Sequence, residues 1–390
     1  MDSSQELGNM GILALMLTRG LSILPGMVVS ILLVDIATSF DVQVGVAGQI
    51  KTVSGILSVM FSLVMGVLSV KYRHKSLLSI GLLLYIVSAV FSFYSTSLAM
   101  LVGVYSLVGV ATSLTIPMVN SIIGEFVPSE MRTKVIGRTI AGLSATYMLG
   151  SLAVGYISEV GWKMTMLIVV VPVCVLTCLT CLFYIPESNQ ESRKISASGL
   201  LSGYRNLIKN KSAIGCVLGN ILGISAWNLY SAYGASFWRQ KYALSTGTIS
   251  VAMIFIMLGY IGGSLSASRF VKRLGVKTVV LASTGVVGVV TLFTFNSPTF
   301  LISYLLTIIA CFSAGVRVTS SSSFSLAQMP EYRGTMMSLH SAGASLGTTI
   351  AVSFGGLLLL RYGYSVCATV LGVFALLGAL VYQFMTTKIS

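Results

Sequence analysis

Apolar stretches, each about as long as a membrane-spanning helix, follow one another along most of the chain. A helix of about 20 apolar residues crosses the hydrocarbon core of a bilayer, and charged, glycine or proline residues separate one stretch from the next. Pro25, Pro117 and Pro172 are expected to kink the first, fourth and sixth helices. We predict twelve helices, over residues 11–34, 46–70, 77–94, 98–124, 135–158, 164–185, 213–238, 247–268, 278–296, 299–327, 335–360 and 364–386.

The amino-acid composition indicates the same class of protein. Of 390 residues, 55% are hydrophobic and only 9% are charged, and the mean hydropathy is +0.92. Soluble domains carry roughly 25% charged residues, so this chain has too few charges to cover a surface in water. We therefore expect an all-α, multi-pass membrane protein, in which the polar start MDSSQELGN is a short tail before a retained first helix.

The positive charges fall mainly in alternate loops. If both termini are cytoplasmic, 17 of the 24 Lys and Arg residues lie on the cytoplasmic side, five lie outside, and two, Arg19 and Arg317, lie inside helices. Basic loops resist translocation, which predicts this orientation in the plasma membrane. Contact with anionic membrane lipid accounts for the net charge of +14 better than a nucleic-acid partner does.

Short motifs recur at about half the chain length. The stretch GVLSVKYRHKSLL at 66–78 is similar to GSLSASRFVKRLGVKTVV at 263–280, and PSEMRT at 128–133 is similar to PEYRGT at 330–335. Such repeats indicate a duplicated bundle. We expect a first bundle over 1–186, a polar cytoplasmic linker over 187–211 that ends in a short amphipathic helix, and a second bundle over 212–390.

The loop after the second helix resembles the pattern Gly-x-Leu-Ala-Asp-Arg-x-Gly-Arg-Lys of the major facilitator superfamily. The resemblance lies at Gly66, Leu68, Ser69, Lys71, His74 and Lys75, whereas Val70 and Arg73 stand where the family has Asp and Gly. It implies twelve transmembrane helices in two pseudo-symmetric six-helix bundles, a monomer that moves a small molecule by alternating access, and no cofactor.

In that family the equivalent loops help to latch the outward-facing state. The resemblance assigns this role to basic loop residues in both halves, although orientation by positive charge alone is an equally good explanation. The residues concerned are Gly66, Lys71, Arg73, Lys75, Arg269, Lys272 and Arg273.

Two arginines are the strongest candidates for substrate binding. The resemblance implies that helices 1, 4, 7 and 10 line a central cavity, and Arg19 and Arg317 lie within helices 1 and 10. A charge at mid-helix costs about 2.5–3.5 kcal/mol on insertion scales, so an intramembrane Arg indicates function by default. Guanidinium groups bind carboxylate or phosphate through two hydrogen bonds, which favours an organic anion. The alternative is that each Arg pairs with a carboxylate or with backbone carbonyls.

The acidic and polar residues offer weaker candidates. Among the ten carboxylates none lies at mid-helix; Glu125 and Asp35, near helix ends, and His340 are candidates for proton or ion coupling, although a hydrogen-bonded interface histidine is the alternative. Further residues on the predicted cavity helices are candidates as well, although residues of this kind are more often packing residues than ligands. They are Tyr105, Asn120, Asn220, Trp227, Asn228 and Tyr230.

We expect a secondary transporter of a small solute, with an organic anion as the preferred cargo. Proton-coupled multidrug efflux is the alternative, although Tyr105, Ser151 and Val70 stand where that branch has its Arg, Pro and Asp. A membrane sensor without transport activity is a remoter alternative. An enzyme is not expected, because no catalytic cluster lies at membrane depth, and Cys174, Cys178 and Cys181 are read as packing residues rather than a metal site.

Overall fold

The computed structural model of the protein describes residues 7–187, 209–328 and 333–387, and these residues form helices joined by short turns. Twelve helices, numbered α1 to α12 in chain order, include three that are built from consecutive segments. Their bounds are α1 Asn9–Leu21, Leu24–Ile31 and Leu33–Ser39; α2 Val44–Ala47 and Gln49–Lys71; α3 His74–Phe93; α4 Leu98–Phe126; α5 Ser129–Ile157; α6 Trp162–Tyr184; α7 Lys211–Leu229, a π-helical turn Tyr230–Gly234 and Ala235–Tyr242; α8 Thr246–Leu274; α9 Val276–Thr294; α10 Phe300–Gln328; α11 and α12 within Arg333–Met385.

Twelve membrane spans follow from these helices. In the described part of the chain, eleven helices are long and apolar enough to cross a membrane, and the last of these runs over Leu339–Met385. That helix is broken at Gly363, whose φ of 79° and ψ of −177° are not helical. A left-handed φ favours glycine, so Gly363 divides the segment into α11 and α12. The predicted all-α fold with twelve spans is confirmed.

Proline affects the helices unequally. The first span is interrupted at Ser22 and Ile23, and Pro25 lies in the first turn of the segment that follows. Proline is tolerated there because the first N–H groups of a helix have no partner within it. In contrast, α4 and α6 continue as single helices through Pro117 and Pro172.

Two compact units make up the chain. Unit 1 comprises residues 1–42, 53–194 and 246–251, and unit 2 comprises 43–52, 195–245 and 252–390. Most of α1 to α6 therefore belongs to unit 1 and most of α7 to α12 to unit 2. The first residues of α2 and of α8 are each grouped with the other unit, which the repeat pattern did not predict. The predicted linker over 187–211 lies mostly outside the described residues.

The same side-chain contact occurs once in each unit, at the start of the sixth helix of the repeat. In unit 1, the indole Nε1–H of Trp162 donates to Ser39 Oγ at 2.8 Å, and its ring lies 5.8 Å from that of Phe40. In unit 2, the Tyr364 hydroxyl donates to Ser236 Oγ at 3.1 Å. Its ring lies 5.2 Å from that of Phe237. In each unit, therefore, an aromatic residue at the start of the sixth helix contacts the last part of the first helix.

Close helix contacts at glycine also recur. A Cβ built at Gly109 of α4 would lie 1.9 Å from the Ser54 carbonyl oxygen of α2. A Cβ at Gly315 of α10 would lie 2.1 Å from the Tyr260 carbonyl oxygen of α8. Real side chains do not approach a carbonyl so closely, so each backbone contact depends on glycine, as small residues commonly permit between membrane helices.

Candidate functional site

Arg317, on α10, lies in the interior of unit 2. Its side chain is 0% exposed and is among the largest fully buried side chains of the protein. The Nη1 group donates a hydrogen bond to Asn220 Oδ1 on α7 at 3.1 Å. Nε and Nη2 have no hydrogen-bond partner among the described residues. Arg317 therefore presents a buried charge whose hydrogen-bonding capacity is mostly unused.

Asn220 connects Arg317 to a second polar group, around His340. The Asn220 Nδ2 group donates to the backbone carbonyl of His340 on α11 at 3.0 Å. The His340 ring is buried, and its Nδ1 lies 3.0 Å from Ser325 Oγ while its Nε2 lies 3.4 Å from Ser322 Oγ. Histidine and asparagine thus join three helices of unit 2, and the proposed coupling role of His340 stays a prediction.

No carboxylate balances the charge of Arg317 in the described residues of unit 2. In the sequence from 192 to the end, Glu331 is the only Asp or Glu, and it follows Gln328, the last described residue of α10. Arg317 is eleven residues before Gln328, about 16 Å along the helix axis. An uncompensated buried charge is strongly unfavourable, so the surroundings of Arg317 require an explanation.

Arg19, on α1, differs from Arg317 in its exposure. Its side chain is only partly buried, although the Nη1 group is buried and has no hydrogen-bond partner in the described part of the chain. The neighbouring Thr18 is fixed by a bond to the Ala14 carbonyl oxygen, and Gly20 packs against Thr146 of α5. The side of α1 that packs inside unit 1 therefore contains Thr18 and Gly20. Arg19 lies next to this side and remains partly exposed.

The candidates on α7 divide into two groups. Trp227 is partly exposed and stacks on Tyr260 of α8, with ring centroids 5.2 Å apart. Asn228 is buried and donates to Thr348 Oγ1 on α11 at 3.1 Å. Tyr230 is buried, and its hydroxyl donates to Thr294 Oγ1 at 3.0 Å. Trp227 therefore keeps part of its surface exposed, whereas the other two side chains are engaged in helix packing.

The candidates on α4 also differ from each other. Tyr105 is 2% exposed and lies close to Gly26 of α1, where a Cβ would be 3.9 Å from its hydroxyl. Asn120 is exposed. The structure thus places Tyr105 in the interior of unit 1 and leaves Asn120 open at the surface of that unit.

The basic loop after α2 makes defined contacts within unit 1. Arg73 Nη1 forms an exposed ion pair with Glu187 Oε2 at 2.6 Å. His74 Nδ1 lies 3.0 Å from Glu125 Oε2, so the carboxylate near the end of α4 contacts the loop.

Lys75 has a different kind of partner. Its ammonium group donates to the carbonyl oxygens of Leu182 at 2.8 Å and of Ile185 at 2.7 Å, at the end of α6. A cation at a helix C-terminus satisfies carbonyl groups that have no partner within the helix. Lys75 therefore fastens the start of α3 to the end of α6.

The corresponding basic residues of unit 2 are exposed near the end of α8, and they are Arg269, Lys272 and Arg273. Gly66 and Lys71 lie within α2, and the burial of these two residues is outside the described part of the structure. Asp35 lies in the last segment of α1. The proposed latch and coupling roles of these residues stay predictions.

Tyr382 of α12 was missed by the sequence analysis. Its side chain is 0% exposed, and its hydroxyl has no hydrogen-bond partner in the described residues. Tyr382 lies on α12, outside the four helices that the family resemblance places at the cavity. Its polar hydroxyl on a large apolar ring, within a predicted membrane helix, was the signal that could have identified it.

The family assignment comes from the whole sequence. The model of the Major Facilitator Superfamily matches residues 15–233 and 215–388. The chain belongs to the major facilitator superfamily. Two proteins of Bacillus subtilis (strain 168), both described as uncharacterized MFS-type transporters, are similar to it. YceJ is 24% identical over 323 residues, 82% of this chain and 81% of YceJ; YwfA is 24% identical over 390 residues, 97% and 92% of the two chains.

Solved structures of the family share the fold. A D-xylose–proton symporter aligns with a TM-score of 0.81 and 14% identity, over 97% of each chain. The nucleoside transporter NupG aligns with a TM-score of 0.78 and 15% identity, over 97% of this chain and 99% of NupG. At these identities the likeness extends to the fold alone. Together with the family match, it makes the protein a multi-pass membrane transporter, a secondary transporter rather than an enzyme.

Proposed function

We propose that the protein transports a small organic anion across the plasma membrane by alternating access, with both termini in the cytoplasm. The carrying observation is Arg19, which is a partly exposed residue whose Nη1 group is buried and has no partner among the described residues. A carboxylate or phosphate supplies the acceptors and the opposite charge that such a group lacks.

The distribution of charge at membrane depth supports an anionic cargo. Arg19 and Arg317 lie well inside the candidate spans. The carboxylates in the described spans are Glu125 and Glu159, each next to the end of its span. An excess of fixed positive charge in the membrane interior attracts anions and repels cations, which disfavours cationic drugs as cargo.

The two arginines take different parts in this proposal. Arg19 is accessible and is assigned the direct contact with the anionic group. Arg317 is enclosed in unit 2 and bonded to Asn220, so we assign it no direct contact with cargo. Trp227, partly exposed and stacked on Tyr260, is proposed as an apolar contact for the cargo.

A flux measurement in proteoliposomes tests the proposal. Small mono- and dicarboxylates, organic phosphates, sugars, amino acids and cationic dyes are offered with and without a pH gradient. We expect carboxylate or phosphate flux in the wild type and a loss of about tenfold or more in Arg19→Gln, because a charged hydrogen bond contributes about 1.5–3 kcal/mol.

Arg361→Gln is the matched control, since Arg361 is exposed and carries the same charge. Its flux should equal that of the wild type. Equal anion flux in Arg19→Gln and Arg361→Gln would contradict the assignment of Arg19. Proton-driven movement of cationic dyes without anion flux would favour the multidrug alternative instead.

A further inference from the structure

The last turns of α8 carry three cations on one exposed face. Leu265, Arg269, Lys272 and Arg273 occupy positions i, i+4, i+7 and i+8 of the helix, so their side chains lie on the same side of it. All four residues are exposed, and Leu265 is exposed to 74%. The face is therefore open to the surroundings of the protein.

The opposite side of α8 packs inside unit 2. A Cβ built at Gly263 would lie 1.9 Å from the Phe312 carbonyl oxygen of α10. Ser264 Oγ lies 2.7 Å from Thr319 Oγ1 of α10, and Ala267 is buried. Because these contacts fix the rotation of α8 about its own axis, the face with the three cations points away from α10.

These cations have no carboxylate partner among the described residues of unit 2, which include no Asp or Glu. Like charges three or four residues apart on a helix repel each other. In the sequence from 192 to the end, Glu331 is the only Asp or Glu. Pairing with Glu331 would still leave two of the three positive charges without compensation.

The corresponding basic loop of unit 1 has acidic partners within its own unit. Arg73 pairs with Glu187 at 2.6 Å, and His74 Nδ1 lies 3.0 Å from Glu125 Oε2. The two copies of the repeat thus differ in how their charge is balanced. In unit 2 the balancing anions must come mainly from outside the chain.

The depth of the cations in the membrane indicates which anions these are. Helix α8 has 29 residues and is about 44 Å long, whereas the hydrocarbon core is about 30 Å thick. The last turns of α8 therefore reach the lipid headgroups. Phe255, Leu258 and Leu265 are exposed on the same side of the helix and lie at the depth of the acyl chains.

We propose that this face of α8 binds one anionic phospholipid, whose phosphate is held by Arg269, Lys272 and Arg273 and whose acyl chains lie along the exposed apolar residues. Arginine binds phosphate through two parallel hydrogen bonds. A zwitterionic headgroup brings its own cation and leaves the excess charge of α8 unbalanced. The site is separate from the proposed cargo contact at Arg19, and the inference does not depend on the identity of the cargo.

Thermal unfolding of the purified, delipidated full chain in mixed micelles tests the site. Dioleoylphosphatidylglycerol is titrated against dioleoylphosphatidylcholine at constant total lipid. We expect the unfolding midpoint of the wild type to rise with the fraction of phosphatidylglycerol, because a ligand bound only by the folded state stabilises it. Glycerol 3-phosphate has a similar phosphate group without acyl chains, and at the same concentrations it should not raise the midpoint.

Three variants make the result specific. The triple variant Arg269→Gln/Lys272→Gln/Arg273→Gln should weaken the apparent affinity for phosphatidylglycerol about 100-fold, since each basic residue near the surface contributes about fivefold. Arg269→Gln alone should weaken it about fivefold. The matched control removes three other exposed cations that do not share a helix face, and it should keep an affinity close to that of the wild type. These are Arg138, Lys209 and Lys211, each replaced by Gln.

The lipid dependence separates a binding site from a structural role of the side chains. Without phosphatidylglycerol, all three variants should unfold at the wild-type midpoint, because the replaced residues are exposed. Equal losses of affinity in the triple variant and the matched control would overturn the proposal, since net charge alone would explain them. Equal stabilisation of the wild type by phosphatidylglycerol and phosphatidylcholine, or by glycerol 3-phosphate, would overturn it as well. Should the triple variant fail to fold, Arg269→Gln still decides.

Discussion

Lys75 and Lys277 make the same contact in the two units. Lys75, in the first turn of α3, donates to the carbonyl oxygens of Leu182 and Ile185 at the end of α6 at 2.8 and 2.7 Å. Lys277, in the first turn of α9, donates to Gln383 and Thr386 at the end of α12 at 2.9 and 2.6 Å. The duplicated basic loop thus preserves a helix-capping contact even though the Asp of the family pattern is absent.

Replacing either lysine by methionine should destabilise its own unit. The methionine keeps most of the apolar stem and removes the cation that satisfies two C-terminal carbonyl groups. We expect a loss of about 1–2 kcal/mol for Lys75→Met and a similar loss for Lys277→Met. Chemical unfolding followed by the fluorescence of the tryptophans measures the difference.

Lys272→Met is the control for both variants, because Lys272 is an exposed lysine near the end of α8. Its unfolding free energy should match that of the wild type. If Lys75→Met and Lys277→Met were as stable as Lys272→Met, the carbonyl contacts would contribute nothing beyond surface charge.

Alanine at the two glycine contacts should prevent close helix approach. A Cβ at Gly109 or Gly315 would lie about 2 Å from a carbonyl oxygen of the adjacent helix, at 1.9 and 2.1 Å respectively. Because the obstacle is backbone rather than a flexible side chain, the helices must move apart and their packing is lost. We expect Gly109→Ala and Gly315→Ala to lower the unfolding midpoint clearly, with losses of about 1–3 kcal/mol.

Gly103 on α4 and Gly285 on α9 provide matched controls, because a Cβ at either position meets no atom within 4 Å. Alanine is the better helix former by up to about 1 kcal/mol, so Gly103→Ala and Gly285→Ala should be neutral or stabilising. Destabilisation of the control pair to the same extent would show that helix backbone effects, rather than interhelical contact, determine the result.

The sequence predicted the spans well because hydropathy and breaker residues act locally. The prediction of helices over 335–360 and 364–386 anticipates the break at Gly363, where a left-handed backbone favours glycine. The start of α5 at Ser129 rather than 135 was missed, since its first turns carry charged residues that hydropathy alone assigns to a loop. The π-helical turn at Tyr230–Gly234 has no distinctive residue pattern.

The direction of Arg317 could not be predicted from the pattern of α10. Thr319 to Ser323 surround the helix with small polar residues, which bond to carbonyl oxygens of their own helix. Such a run gives no amphipathic signal to show which side faces the interior of the bundle.

The predicted orientation leads to a distinct result for C-terminal fusions. Seventeen of 24 Lys and Arg residues lie in the segments assigned to the cytoplasm, and an even number of spans returns the chain to its starting side. A green fluorescent protein fused after residue 390 should therefore fluoresce, and alkaline phosphatase fused there should be inactive. The opposite pair of results would reverse the orientation of all twelve spans.

Removing the exposed ion pair of the basic loop distinguishes a latch function from a purely structural contact. Arg73 and Glu187 have side chains 59% and 68% exposed, and such pairs contribute at most about 1 kcal/mol to stability. Glu187→Gln should therefore leave the unfolding midpoint within error of the wild type. A latch, in contrast, acts on the equilibrium between transport states, and even 1 kcal/mol changes that equilibrium about fivefold.

We expect Glu187→Gln to change the transport rate about two- to fivefold without changing stability. Glu159→Gln, which removes another exposed carboxylate of unit 1, should change neither quantity. Rates are compared in proteoliposomes at low and high salt, because screening weakens an exposed pair. High salt should therefore bring the wild-type rate towards that of Glu187→Gln. Identical rates for the wild type and both variants at every salt concentration would contradict the latch role. Membrane orientation and helix capping would then be the functions of the basic loop.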